Sequence, residues 1–136
     1  MALRAEPVAI SVLFWLAAGP VRALEEGGNA GRGARVFQQC YACHSVDPAE
    51  TVKLQGPSLY RIVGRRAASV PGFSYSPALM AMGEAGLVWT AEQLDRFLAD
   101  PEDMLPGNQM SFFGLADARD RADLIAYLKA SADRPR

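Results

Sequence analysis

The stretch Cys40-Tyr41-Ala42-Cys43-His44 decides how this sequence is interpreted. The 136 residues include two cysteines and one histidine, and all three lie within this stretch. Thiols and imidazoles are the side chains that most often hold metals and cofactors. The spacing therefore predicts a single cofactor or redox site built from residues 40–44.

The spacing C-x-x-C-H is the pattern of covalent haem attachment. Two thiols add to the vinyl groups of one haem as thioethers, and the adjacent histidine lies beneath the iron as an axial ligand. A thioredoxin-like pair also has C-x-x-C, but it needs a βαβ setting and has no use for the histidine. A zinc site needs four ligands, and no further Cys or His is present. The predicted cofactor is one covalently bound haem c, held by Cys40, Cys43 and His44.

Residues 1–23 have the features of a cleavable export signal. Arg4 precedes an apolar run over residues 8–18, and small residues lead to a predicted cut after Ala23. The run is shorter than the roughly 20 residues that span a bilayer, although an uncleaved membrane anchor stays open as an alternative. We therefore expect a periplasmic protein with one domain, residues 24–136, without stable membrane insertion.

The charge of the expected mature chain argues against nucleic acid as a partner. Removal of residues 1–23 takes away Arg4, Arg22 and Glu6, so that acidic side chains slightly outnumber basic ones. The remaining length corresponds to one small domain, and its core would gain from a large apolar cofactor.

Apolar periodicity predicts an all-α fold, with four to five short helices and long loops around one haem. A first helix leads from Asn29 into the haem motif, and residues 45–74 form a long loop wrapped around the cofactor. Further helices are predicted at residues 77–82, ended by Gly83, and from Thr90 to Asp100-Pro101. The last one covers residues 117–130, where Arg119 and Asp123 are expected to form an i,i+4 ion pair.

A histidine-ligated haem that transfers electrons needs a sixth ligand, and with no second histidine the remaining choice is methionine. The expected mature chain offers Met80, Met82, Met104 and Met110. Met110 is the predicted ligand, because it follows the turn sequence of residues 106–109, which can present a side chain inward from a fixed loop. Met104, and an open or exchangeable sixth site, remain as alternatives.

Several segments beyond the haem motif share an order and spacing with a known family. They are Gly56-Pro57-Ser58-Leu59, Gly64-Arg65, Pro71-Gly72-Phe73-Ser74-Tyr75-Ser76, Trp89-Thr90, Pro106-Gly107-Asn108-Gln109-Met110 and Asp123-Leu124-Ile125-Ala126-Tyr127-Leu128. From about residue 31 to residue 130 the chain resembles the class I c-type cytochromes, the mitochondrial-like and purple-bacterial soluble electron carriers.

The resemblance implies a role for individual residues. The carbonyl of Pro57 would accept the proton on the far nitrogen of His44. Arg65, Tyr75 and Trp89 would lie near the haem propionates, which need donors or a cation when buried. The resemblance also implies that Gly33 and Phe37 contact the last helix near Leu124 and Tyr127.

Three features depart from the family pattern. Phe97 stands where the family often has a tyrosine near the methionine ligand, and Asn108-Gln109 replaces the more familiar Thr-Lys. Lysines are few, and Glu102-Asp103 falls where mitochondrial relatives are basic, which argues against docking through a ring of lysines.

The predicted function is that of a periplasmic monohaem electron carrier, monomeric and without enzymatic activity. Expected partners are redox proteins such as a quinol-oxidising complex, a terminal oxidase, a photosynthetic reaction centre or a dehydrogenase. One alternative is a haem subunit dedicated to one dehydrogenase. Another is a peroxidase-like or ligand-binding haem protein with an open sixth site, for which the chain has no second histidine to act as an acid or base.

Overall fold

The computed structural model describes residues 27–133, so the predicted export signal and its cleavage site lie outside the described residues. The α-helices are α1 (Ala30–Val36), α2 (Pro77–Glu84), α3 (Ala91–Ala99), α4 (Pro101–Met104) and α5 (Ala118–Ser131). A 3-10 turn, Phe37–Gln39, continues α1 into the haem motif. Within residues 27–133 there is no strand, only an isolated bridge between Arg66 and Val88. The predicted all-α fold is confirmed.

Helices α1 and α5 form the most extensive contact between helices of the described chain. A Cβ atom at Gly33 would lie 2.0 Å from the carbonyl oxygen of Asp123, so the close approach requires glycine. One turn later Phe37 packs on Tyr127, with ring centroids 5.2 Å apart. The predicted contact of Gly33 and Phe37 with the last helix is therefore confirmed.

An ion pair between the partly exposed Arg32 and the buried Asp123 links the same two helices. Asp123 is only 1% exposed. Its carboxylate accepts hydrogen bonds from the guanidinium of Arg32 and from the backbone amide of Asn29, the N-cap of α1. The Arg32 hydrogen bond holds the pKa of this carboxyl below its usual range, against the opposing effect of burial. The predicted i,i+4 partner Arg119 does not form the direct ion pair, because the carboxylate faces α1 and pairs with Arg32. The charge of Arg119 still makes a smaller contribution to the lowered pKa of Asp123.

The bounds of α2 correct a second prediction. Ser76 caps this helix by accepting from the amide of Leu79, as expected, but the helix continues to Glu84. Gly83 lies inside it and is buried, and a Cβ atom there would be 2.6 Å from the carbonyl oxygen of Ala67. The glycine is therefore required by packing against the long loop and does not end the helix.

Helix α4 is an element that the sequence analysis does not predict. Asp100-Pro101 ends α3, as expected, but the same pair also begins α4. The side chain of Asp100 accepts from the amide of Asp103, and Pro101 occupies the first turn, where its missing N–H costs nothing. This short helix directly precedes the loop that carries Met110.

The core lies between α1, α3, α5 and the long loop. Its buried members are Phe37, Val46, Ile62, Ala67, Trp89, Leu94, Leu98, Leu115, Leu124, Ile125 and Leu128. The described part of the chain contains no helix long and apolar enough to cross a membrane.

Candidate functional site

The haem motif forms a tight turn at the end of the 3-10 segment. The amides of Cys43 and His44 both donate to the carbonyl of Cys40, at 3.1 and 2.9 Å. Cys40, Cys43 and His44 are half-buried, whereas Tyr41 and Ala42 between them are exposed. The turn thus directs the three chemically active side chains toward the interior and leaves the other two at the surface.

The two cysteines do not have the features of a redox-active pair. They form no disulfide. Burial raises the pKa of the Cys40 thiol to about 11, and the neighbouring Cys43 adds to the shift. Redox-active cysteines need a lowered pKa, so a thioredoxin-like role does not fit this site. A zinc role does not fit either, because no cluster of three His, Cys, Asp or Glu side chains within residues 27–133 could hold a metal ion.

The imidazole of His44 is held by a backbone carbonyl. Its Nδ1 atom lies 2.8 Å from the oxygen of Pro57. A carbonyl oxygen can only accept, so Nδ1 carries the proton and Nε2 has a lone pair to offer to iron. Burial lowers the pKa of His44, and the hydrogen bond to Pro57 opposes this shift. The neutral imidazole, which is the form that binds a metal, is therefore favoured.

Gly56 lies directly against the ring of His44. A Cβ atom at Gly56 would be 2.3 Å from Cε1 and 2.6 Å from Nδ1 of the imidazole. The amide of Gly56 also donates to the carbonyl of Cys43, at 2.8 Å. No role for Gly56 is predicted from the sequence, although its position directly before Pro57 is a signal that could have suggested one. These features fit a covalently attached haem: two thiols are available for attachment, Nε2 of His44 is free to bind iron, and Gly56 lets the backbone approach the imidazole closely.

Met110, the predicted sixth ligand, lies in the loop between α4 and α5. It is half-buried, and its backbone amide donates to the side-chain oxygen of Asn108 at 3.0 Å. Met104 packs against the core cluster, and Met80 is 48% exposed. Met80 is therefore largely at the surface, whereas the backbone amide of Met110 is held by the side chain of Asn108.

Arg65 lies half-buried in the long loop and has only neutral partners. Its guanidinium donates to the carbonyl of Ser58 at 2.7 Å and to that of Tyr60 at 3.0 Å. Burial lowers the pKa of Arg65, and the nearby Tyr75 opposes the shift. Among the described residues no carboxylate forms an ion pair with this guanidinium. A partly desolvated cation of this kind is a suitable partner for an anionic group of a ligand.

Tyr75 and Trp89 lie close to this cation. The Tyr75 hydroxyl accepts from the amide of Val70 at 3.1 Å, so its own proton is available for donation. The Trp89 backbone amide donates to the carbonyl of Arg65 at 2.9 Å, which joins the two residues side by side. Trp89 is 6% exposed, and its ring packs on Phe97 with centroids 5.2 Å apart. The structure thus brings Tyr75 and the backbone of Trp89 close to Arg65.

Comparisons with known proteins agree with this arrangement. The family model described as "Cytochrome c" matches residues 30–132. Cytochrome c type-1 of Ascaris suum is 42% identical over 109 residues, which cover 79% of this chain and 93% of that protein. Cytochrome c2 of Rhodomicrobium vannielii is 43% identical over 101 residues, which cover 74% of this chain and 78% of that protein.

Solved structures give the same result. The structure of cytochrome c2 from Rhodospirillum centenum aligns with a TM-score of 0.71 at 38% identity, covering 76% of this chain and 98% of that one. Cytochrome cH from Methylobacterium extorquens aligns with a TM-score of 0.67 at 36% identity, covering 76% of this chain and 99% of that one. The chain therefore belongs to the cytochrome c family, as a class I c-type cytochrome with one covalently attached haem c and a role in electron transfer.

Proposed function

We propose that this protein is a periplasmic carrier of single electrons, whose haem iron is ligated by His44 and Met110. When bound, haem c supplies an iron that alternates between the ferrous and ferric states. The observation that carries the proposal is the hydrogen bond from Nδ1 of His44 to the carbonyl of Pro57, within a C-x-x-C-H turn. It leaves Nε2 as the only ring nitrogen able to ligate.

His44 and its neighbours keep one side of the site rigid. The Pro57 carbonyl fixes the ring orientation and strengthens the imidazole as a donor, in the way that supporting hydrogen bonds act on metal-bound histidines. The backbone at Gly56 lies against the ring and leaves it little room to move, and thioether links at Cys40 and Cys43 would restrict the motif further once haem is attached. A ligand held in this way changes little between oxidation states, which suits rapid electron transfer.

Met110 is proposed for the opposite side of the iron. It is half-buried, its backbone amide is held by the side chain of Asn108, and a thioether ligand raises the reduction potential relative to a second imidazole. Met104 packs against the core cluster, which favours Met110 over this alternative. A filled sixth position favours an electron carrier over a peroxidase-like or ligand-binding protein.

Arg65, Tyr75 and Trp89 are proposed to bind the haem propionates. The guanidinium of Arg65 provides a positive charge without a carboxylate partner among the described residues, and the Tyr75 hydroxyl provides a donor. A half-buried cation is stabilised when an anion joins it, because each offsets the lost hydration of the other.

Partner proteins are proposed to dock on an apolar, weakly charged surface. Tyr41, between the two cysteines, is 69% exposed, and Phe113, three residues after Met110, is 100% exposed. Both belong to segments that bear proposed haem contacts, so a redox partner that touches them would approach the cofactor. Suitable partners are a quinol-oxidising complex, a terminal oxidase, a photosynthetic reaction centre or a dehydrogenase.

Absorption spectroscopy of the holoprotein tests the proposal. A carrier with both axial positions filled should titrate with one electron, and the spectrum of the reduced form should not change when carbon monoxide is added. Rapid binding of carbon monoxide to the reduced form would indicate an open iron and favour a ligand-binding or peroxidase-like function.

A further inference from the structure

The loop that carries Met110 is tied to α4 by a chain of side-chain hydrogen bonds. One carboxylate oxygen of Glu102 accepts from the backbone amide of Gly107 at 3.1 Å, and the other accepts from the side-chain amide of Asn108 at 3.0 Å. The side-chain oxygen of Asn108 then accepts from the backbone amide of Met110 at 3.0 Å. These hydrogen bonds lead from α4 directly to the proposed ligand.

Helix α4, where this series of hydrogen bonds begins, is held in place at both ends. Asp100 caps its first turn, and Pro101 is among the most deeply buried residues of the described chain. Leu105, which follows the helix, is 5% exposed. Glu102 therefore lies on a short segment whose two ends are held in place. Its carboxylate can accept hydrogen bonds from the loop without moving.

We propose that Glu102 and Asn108 are positioning residues that hold Met110 in place and thereby limit the access of external ligands to the iron. This inference rests on the proposed ligation by Met110. The two residues act through the backbone amides of Gly107 and Met110. Because Glu102 is exposed, its hydrogen bonds compete with water, so their loss should loosen the loop without unfolding the protein.

Two single substitutions disrupt the hydrogen bond between the side chains of Glu102 and Asn108. Glu102→Gln leaves one acceptor where the carboxylate offers two, so that either Gly107 or Asn108 loses its hydrogen bond to residue 102, although the Asn108 side-chain amide keeps the carbonyl of Leu105 at 3.4 Å. Asn108→Asp keeps the acceptor for the Met110 amide but places a second carboxylate against Glu102. Each variant should bind cyanide about three- to tenfold faster in the oxidised form, which corresponds to about 0.7–1.4 kcal/mol in the opening of the loop. Each should also lose its far-red sulfur-to-iron band at a lower temperature than wild type.

The double variant Glu102→Gln/Asn108→Asp exchanges donor and acceptor across the same contact. The introduced amide can accept from Gly107 and donate to the introduced carboxylate, which still accepts from the Met110 amide. The double variant should therefore recover most of the wild-type cyanide rate. A role limited to net charge predicts a different pattern, because the two single changes alter the charge in opposite directions and should shift the rate oppositely.

Asp103→Asn is the matched control. Asp103 is the next residue on α4 and carries the same charge, but its carboxylate forms no hydrogen bond or ion pair with the described residues. The control removes one negative charge from the same helix and should leave the cyanide rate within about twofold of wild type. If Asp103→Asn and Glu102→Gln raised the rate equally, a general charge effect would replace the positioning role.

The result for Met110 separates this inference from the proposed function. If the far-red band persists in Met110→Ala, the ligand assignment fails and the positioning role fails with it. If the band is lost in Met110→Ala, while Glu102→Gln and Asn108→Asp bind cyanide at the wild-type rate, the ligation stands and the positioning role alone is contradicted.

Discussion

The two sides of the proposed haem site are held by different kinds of contact. On the attachment side, His44 is fixed by a tight turn, by the carbonyl of Pro57 and by Gly56 against its ring. On the other side, the Met110 loop has its own backbone hydrogen bonds, from Asn108 to Leu105 and from Phe112 to Met110. Its link to α4 includes side-chain hydrogen bonds of Glu102, which is exposed, and Asn108, which is half-buried.

The difference indicates which side opens first. Backbone contacts and close packing are lost only when the surrounding structure is lost, whereas hydrogen bonds at the surface open locally at small cost. We therefore expect the Met110 loop to open well below the unfolding transition, while His44 stays in place until the whole domain unfolds.

Gly56→Ala should give the largest loss of stability. The added methyl group would overlap the imidazole of His44, so either the ring or the backbone must move. We expect a loss of about 3 kcal/mol in the free energy of unfolding, together with a lower yield of protein with attached haem. Gly31→Ala on α1 is the control, because its methyl group would meet only the side chain of Asn29 at 3.2 Å. Near wild-type yield and stability of Gly56→Ala would contradict the proposed fit around His44.

Asp123→Asn should weaken the contact of α1 with α5 that supports the attachment side. The variant loses a carboxylate that accepts from Arg32 and Asn29, which should cost about 2 kcal/mol at neutral pH. Denaturant unfolding over a range of pH measures this cost, with the exposed Asp120→Asn on the same helix as control.

The difference in the free energy of unfolding between Asp123→Asn and wild type should change with pH in one direction. The pKa of Asp123 is lowered in the folded state, mainly by Arg32. Its contribution is therefore complete above the unfolded value of about 3.9 and is lost as the pH falls through the folded pKa. The difference between Asp123→Asn and wild type should shrink in strong acid. A difference that stayed constant down to low pH would argue against the ion pair as its source.

Asp100→Ala should have a smaller effect, restricted to the Met110 side. Loss of this N-cap should cost about 1 kcal/mol and let the first turn of α4 fray, which carries Glu102. We expect faster cyanide binding and earlier thermal loss of the far-red band. Asp100→Asn removes the same charge but keeps the capping oxygen, so it should behave as wild type. Equal effects of the two substitutions would assign the change to charge instead of to the cap.

The smallest effect is expected from charge at the docking surface. Electron transfer with the physiological partner should vary only modestly with salt, because Tyr41 and Phe113, two exposed side chains in the segments that bear proposed haem contacts, are aromatic and uncharged. Lys53→Glu should likewise change the rate little. Stopped-flow rates that fall steeply between low and physiological ionic strength would indicate strong charge complementarity and contradict apolar docking.

The sequence predicts best those features that local chemistry determines. The haem motif is contiguous, and the caps at Ser76 and Thr90 follow from their own side chains, which accept from the amides of Leu79 and Gln93. The close approach at Gly33 is also foreseeable, because a glycine in a helix costs stability and needs a reason.

Features that depend on distant partners were harder to predict. Asp123 has Arg119 at i,i+4 spacing, and only the fold shows that Arg32 lies closer. Gly83 has the position of a helix end, yet its reason is the carbonyl of Ala67 across the long loop. The link between Glu102 and Asn108 depends on α4, a helix too short to produce a periodic pattern.

The most direct test of the account is the far-red band of the oxidised protein in two methionine variants. Ligation by His44 and Met110 predicts that wild type shows the sulfur-to-iron band and that Met104→Ala keeps it. Met110→Ala should lose the band and, when reduced, should bind carbon monoxide. Persistence of the band in Met110→Ala together with its loss in Met104→Ala would move the ligand to Met104 and contradict the account.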